Sequence, residues 1–177
     1  MNLIDSTYFI GEINIAQADQ IEVRDNLDIF ITKYQKRFLT LLLGETLYVE
    51  FMAGLKLDPI PAKWEALRDK LVDAETKESP IANYVYYWYI RDVTVQTVGV
   101  GQVKSKAENA TIVSPAGKMV RAWNEMVQWN WLSVQYLRDN LDLYPDWSET
   151  IYWSWYRSYC HYNRYDSIFE NINSLNI

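Results

Sequence analysis

The sequence predicts a mainly α-helical, single-domain protein spanning residues 1–177. It is expected to form a helical bundle with a long protruding loop or β-hairpin and an extended N-terminal arm. Long segments repeat apolar residues at steps of three and four, the spacing of one helix face. Ser-Pro pairs at 79–80 and 114–115 are typical helix starts. With 49% hydrophobic and 23% charged residues, the composition is that of a globular chain with one core.

Residues 1–18 alternate weakly in polarity, which predicts an extended arm or a short strand. Helices are predicted over residues 19–94. Gly44 is expected to end the first helix, because glycine is common just past a helix C-terminus, and a shorter helix follows. The next helix carries a narrow apolar stripe at Trp64, Leu67, Leu71 and Ala74.

The helix that begins at Ser79-Pro80 contains the aromatic run 84–89, which predicts burial on more than one side. A strand remains an alternative there, because Tyr and Val are also good strand formers. Residues 95–113 have no helical period, and their valines and glycines predict a loop or hairpin. Connections of this length between helices are usually functional or flexible.

Residues 114–143 are predicted to form the central long helix, and residues 144–177 an aromatic C-terminal segment and tail. Apolar side chains in the central helix step by three and four at Val120, Trp123, Val127, Trp131, Val134, Leu137 and Leu141. Of these, Trp123, Val127, Trp131, Val134 and Leu137 are predicted to line its buried face.

Composition argues against several classes of protein. The net charge of −6 argues against binding nucleic acid by neutralising phosphates. The single cysteine, Cys160, excludes an internal disulfide framework and a cysteine-based zinc site. The sequence has no run of 18 apolar residues, so no membrane-spanning helix is predicted. The first residues also lack the basic region that begins a secretory signal. We expect no metal and no cofactor.

The sequence contains no recognisable catalytic constellation. Its one histidine, His161, follows Cys160 directly, and neighbours on a helix point roughly 100° apart, so the two cannot act as a nucleophile–base pair. The sequence lacks a dinucleotide fingerprint and a phosphate-binding loop. A non-catalytic protein is therefore expected. An enzyme whose site is built from scattered carboxylates and tyrosines is a further hypothesis, beside the two functions given below.

The C-terminal segment places nine aromatic residues between Tyr144 and Tyr165. On a helix they would form two overlapping faces, and a surface helix cannot bury both against its own domain. The interface candidates are Trp153, Trp155, Tyr156 and Tyr159. The same rings could stack on sugars, so a monomeric carbohydrate- or protein-binding module is the alternative function.

Three phrases carry a resemblance: LGETLYVEFMAGL at 43–55, PIPAKWEALRDKL at 59–71 and KSKAENATIVS at 104–114. With the order of predicted elements over residues 21–140, they resemble the head–tail connector (adaptor or head-completion) proteins of tailed phages. They are especially similar to structural proteins of crAss-like and related phages of Bacteroidota. The aromatic C-terminal segment does not map onto that family.

The resemblance implies a virion structural protein, made in the host cytoplasm, that forms a ring in the neck. Such rings commonly have twelve copies and sit on the portal protein, with other neck or tail proteins as further partners. DNA would pass through the lumen as cargo, and no membrane would be involved. The loop would reach a neighbouring subunit or the portal, which makes Gly99, Gly101, Lys104 and Lys106 interface candidates.

Overall fold

The computed structural model describes residues 1–93, 96–98, 101–103 and 115–148. The predicted mainly α-helical class is confirmed. The elements after the N-terminal region are α1 (Ile21–Gly54), α2 (Ala62–Leu71), α3 (Pro80–Val93), β1 (Gln96–Val98), β2 (Gly101–Val103) and α4 (Ala116–Asp139). Strands β1 and β2 pair antiparallel, with Val98 opposite Gly101. Most of the predicted protruding segment lies outside the described residues.

Helix α1 is kinked at Gly44, where the backbone leaves helical geometry at φ 77° and ψ 163°. This conformation is essentially restricted to glycine, and it explains why the helical pattern of the sequence breaks at this residue. At the end of α1, Gly54 allows the chain to approach α2 closely, because a Cβ there would overlap the Trp64 ring.

Helix α3 makes its most extensive contacts with α4 and α1, so it is α3, rather than the predicted α4, that lies between the other long helices. The Ser79 hydroxyl accepts a hydrogen bond from the Ile81 amide at 3.1 Å and donates one to the Leu71 carbonyl at 2.8 Å. Because α3 is helical throughout Pro80–Val93, the strand alternative for residues 84–89 is wrong. As the aromatic run predicts, α3 is buried on several sides, at Ile81, Ala82, Tyr84, Val85, Tyr86, Tyr87 and Tyr89.

Residues 1–18 form neither a strand nor an extended arm. They fold into two short 3-10 helices, Ser6–Tyr8 and Gly11–Ile13, which turn the apolar side chains inward. The Leu3 amide donates to the Gln35 side chain at 2.7 Å, which fastens this region to α1. The buried residues are Ile4, Tyr8, Phe9, Ile13 and Ile15. The weak alternation in the sequence therefore reflects anchoring to the core.

The buried face of α4 agrees with the prediction at Val127, Val134 and Leu137, whereas Trp123 is only half-buried. Trp131 is exposed, and the prediction that it is buried is wrong. The buried face includes two polar residues, Asn130 and Ser133, so it is displaced by one residue from the apolar stripe. Its residues are Met119, Ala122, Met126, Val127, Asn130, Ser133, Val134 and Leu137.

Candidate functional site

The solvent-facing side of α4 carries two large apolar side chains. Trp131 is 42% exposed and Leu132 is 57% exposed. Both are held outward because Asn130 and Ser133 occupy the neighbouring buried positions of the same helix. Single exposed apolar residues are common, but an exposed Trp is the residue type most enriched at binding hot spots.

The turn that follows α4 extends this apolar character toward the end of the described chain. Leu141 and Leu143 are exposed, whereas the next aromatic residues point inward. The Tyr144 hydroxyl donates to the Lys63 carbonyl at 2.6 Å, and the Trp147 indole N–H donates to the Leu42 carbonyl at 2.9 Å. The first two members of the aromatic C-terminal segment are therefore core anchors, not interface residues.

Burial raises the pKa of Tyr144 well above the usual tyrosine range, and the adjacent Tyr136 hydroxyl raises it further. The two hydroxyl oxygens are 3.3 Å apart. Tyr144 therefore stays neutral at physiological pH and acts as a structural hydrogen-bond donor.

A cluster of cations and aromatic rings covers the contact between α1 and α3. Tyr34 and Trp88 stack with ring centroids 5.3 Å apart and planes 6° apart. The guanidinium carbons of Arg37 and Arg91 lie 5.1 and 5.3 Å from the Trp88 ring. Lys33 Nζ lies 4.9 Å from the Tyr34 ring. These cation–π contacts hold basic side chains at one surface of an acidic protein.

A cleft of about 520 Å³ lies between the N-terminal region, the α2–α3 connection and α4. Glu12 accepts a hydrogen bond from Arg121 at 2.9 Å, and Glu125 receives a long one from the Asn83 amide at 3.5 Å. Burial raises the pKa of Glu125, and the nearby Glu12 carboxylate raises it further. The raised pKa of Glu125 predicts that the contact between the N-terminal region and α4 depends on the protonation of this carboxyl group.

The cleft is the nearest approach, within the described residues, to the enzyme hypothesis of clustered carboxylates and tyrosines. Tyr8 and Trp129 also line it. Among residues that the structure describes, no group of three or more His, Cys, Asp and Glu side chains is placed to hold a metal ion. The only cysteine and histidine of the sequence, Cys160 and His161, lie outside the described residues.

Most of the interface candidates from the sequence also lie outside the described residues: Gly99, Lys104, Lys106, Trp153, Trp155, Tyr156 and Tyr159. Gly101 is described, as the first residue of β2. By contrast, only the structure identifies Trp131 as an exposed residue and an interface candidate. The competing stripe of Met119, Ala122 and Met126 is the sequence signal that places it outside.

No protein-family model, curated protein or solved structure matches the chain. In the part of the chain that the structure describes, every helix is too short or too polar to cross a membrane.

Proposed function

We propose that this protein is a structural subunit of a tailed-phage neck. It forms a ring, commonly of twelve copies in such connectors, between the portal and the tail. DNA passes through the ring as cargo, and the subunit performs no catalysis. The protein is therefore a component of the virion, assembled from chains made in the host cytoplasm. The resemblance of residues 21–140 to head–tail connector proteins supports this proposal.

Exposed Trp131 is the structural observation that carries the proposal. A helix residue of this size loses a large apolar area from water when a partner covers it, and Trp is enriched where protein partners meet. Leu132 beside it and Leu141 and Leu143 beyond it add apolar surface at the same end of α4. This end of the subunit is the surface we assign to contact with a neighbouring subunit or the portal.

The decisive experiment measures the mass of the purified protein by light scattering or native mass spectrometry, alone and with the portal protein of the same phage. The expected result is a closed ring on the portal. Trp131→Ala with Leu132→Ser should abolish that assembly. Gln128→Ala, an exposed polar position one turn earlier, is the matched control and should assemble normally.

The alternative is a monomeric binding module that uses the aromatic C-terminal segment. A protein that remains monomeric at every concentration, does not join the portal, and binds an oligosaccharide would replace the ring proposal with this alternative. Assembly unaffected by the Trp131 and Leu132 substitutions would keep the ring but remove α4 from its interface.

A further inference from the structure

The first half of α1 has an exposed face opposite its buried one. Core residues Leu27, Ile31 and Phe38 mark the buried side. The opposite side repeats at steps of three and four, which places its side chains in one stripe. These exposed residues are Glu22, Asp25, Ile29, Thr32, Lys33 and Lys36, and Ile29 at their middle is 66% exposed.

Charges on this stripe are separated by sign. Glu22 and Asp25 are three residues apart, and so are Lys33 and Lys36. Like charges at this spacing repel, whereas opposite charges would attract. Helix polarity favours an acidic residue such as Glu22 in the first turn, but this effect does not reach Lys33 or Lys36. The arrangement is unfavourable within an isolated helix.

Ion pairs between described residues leave most of these charges without a partner. Within the described residues, Glu22 and Lys36 make no ion pair, and Asp25 approaches only its neighbour Arg24, at 3.9 Å. Lys33 rests over the Tyr34 ring and makes no ion pair within the described residues, although Asp28 lines the same surface groove. The stripe therefore carries two acidic groups and two basic groups, and each can form an ion pair with a charged group of another molecule.

The spacing makes the stripe complementary to itself. When two copies are placed antiparallel with Ile29 facing Ile29, Glu22 faces Lys36 and Asp25 faces Lys33. Each pair occurs twice, so four ion pairs flank one apolar contact. We propose that the α1 helices of two copies pair antiparallel about a two-fold axis at Ile29 and hold the free protein as a dimer.

This pairing goes beyond the ring proposed above. A two-fold contact closes after two copies, whereas ring subunits meet head to tail through two different surfaces. A single helix face with exposed ion pairs makes a weak interface. We therefore expect a dimer in the micromolar range, whose dissociation constant rises about tenfold or more from low to high salt, because exposed charges are screened.

Cross-linking at the proposed axis tests the geometry. In a full-length background with Cys160→Ser, Ile29→Cys places each thiol opposite its own copy, and mild oxidation should give a disulfide-linked dimer. Val49→Cys is the matched control, because Val49 is 55% exposed on the same helix beyond the kink. Equal cross-linking at both positions, or none at Ile29→Cys, would overturn the proposal.

Charge exchange tests the pairing independently of thiol chemistry. Glu22→Lys with Asp25→Lys gives a wholly basic stripe, and Lys33→Glu with Lys36→Glu gives a wholly acidic one. Each variant alone should be monomeric by light scattering, and their equal mixture should recover a species of two copies. Variants that dimerise like the unmodified protein would refute the proposal, as would a mixture that forms larger rings.

Portal assembly provides a separate readout for the proposed function. If ring formation on the portal occurs without α1 cross-linking, this inference fails and the ring proposal stands. If cross-linking occurs but no assembly forms on the portal, the dimer stands and the ring proposal fails.

Discussion

At the scale of single residues, Trp131 distinguishes a structural from an interface role. Because its side chain is 42% exposed, Trp131→Ala should lower the free energy of unfolding by less than about 1 kcal/mol. Leu137→Ala, on the buried face of the same helix, should lower it by about 2–5 kcal/mol. Urea denaturation of both variants measures the difference. A loss at Trp131 as large as at Leu137 would contradict the exposed position.

A buried amide on α4 gives a second prediction at this scale. Asn130 is 0% exposed, and within the described residues neither its Oδ1 nor its Nδ2 has a hydrogen-bond partner. Burying such a group without a partner is unfavourable, so Asn130→Leu, which has a similar size, should raise the free energy of unfolding by about 1–3 kcal/mol. Denaturant titration measures the change.

Ser133→Ala is the control for this substitution. The Ser133 hydroxyl is buried three residues further along the same face, but it donates to the Trp129 carbonyl at 3.2 Å. Its removal should change stability little. If Asn130→Leu destabilised the protein more than Ser133→Ala, the Asn130 amide would make a favourable interaction in the folded state, and the prediction would be wrong.

At the scale of elements, the kink in α1 depends on one glycine. Gly44→Ala places a side chain at φ 77° and ψ 163°, which costs about 1–3 kcal/mol of backbone strain. Gly117→Ala, in the first turn of α4, meets no atom within 4 Å and should be neutral or stabilising by up to about 1 kcal/mol. The melting temperature should therefore fall for Gly44→Ala and stay the same or rise for Gly117→Ala, and an equal fall in both variants would contradict the role of Gly44.

The contact between the N-terminal region and α4 should depend on pH through Glu125. Because the pKa of Glu125 is raised in the folded state, that state holds more protons than the unfolded state above the ordinary carboxyl value of 4.5. Stability contributed by this group is therefore present below that value and is lost as pH rises through the folded pKa. Glu125→Gln cannot ionise, so its advantage over the unmodified protein should grow from about pH 4 to about pH 7.

Urea midpoints of the two proteins at both pH values measure that difference. Glu50→Gln, on the exposed side of α1 and away from the cleft, is the control substitution. An advantage of Glu125→Gln that stayed constant with pH would show that titration of the Glu125 carboxyl group is not coupled to folding.

The helices themselves could be predicted from apolar spacing, capping pairs and Gly44, because those signals are local. The N-terminal region could not, since its turns follow from contacts with α1 that are far away in sequence, such as Leu3 with Gln35. The prediction for α4 fails at Trp131 because a buried Asn130 and an exposed Trp131 both oppose the usual preferences. The α1 stripe combines residues whose charge pattern acquires meaning only when the exposed side of the helix is known.

At the scale of the whole molecule, the acidic balance governs contact with DNA. With 23 acidic against 17 basic residues, the protein should bind duplex DNA with a dissociation constant of about 10⁻⁴ M or weaker at physiological salt. Electrophoretic mobility shift at low and moderate salt measures this affinity. Conversion of Lys33, Lys36 and Arg37 to Glu should leave it unchanged. Micromolar binding that this triple variant abolished would identify α1 as a DNA-gripping surface.

The hydrogen bond from Trp147 to Leu42 joins residues 105 positions apart. During synthesis from the N-terminus, α1, α2, α3 and α4 all emerge before this indole. The Leu42 carbonyl, beside the Gly44 kink, therefore cannot form this hydrogen bond until nearly the whole described chain has been made. Contacts of such long sequence separation form late and make the final packing cooperative. The end of the described chain thus supplies one of the last contacts of its first long helix.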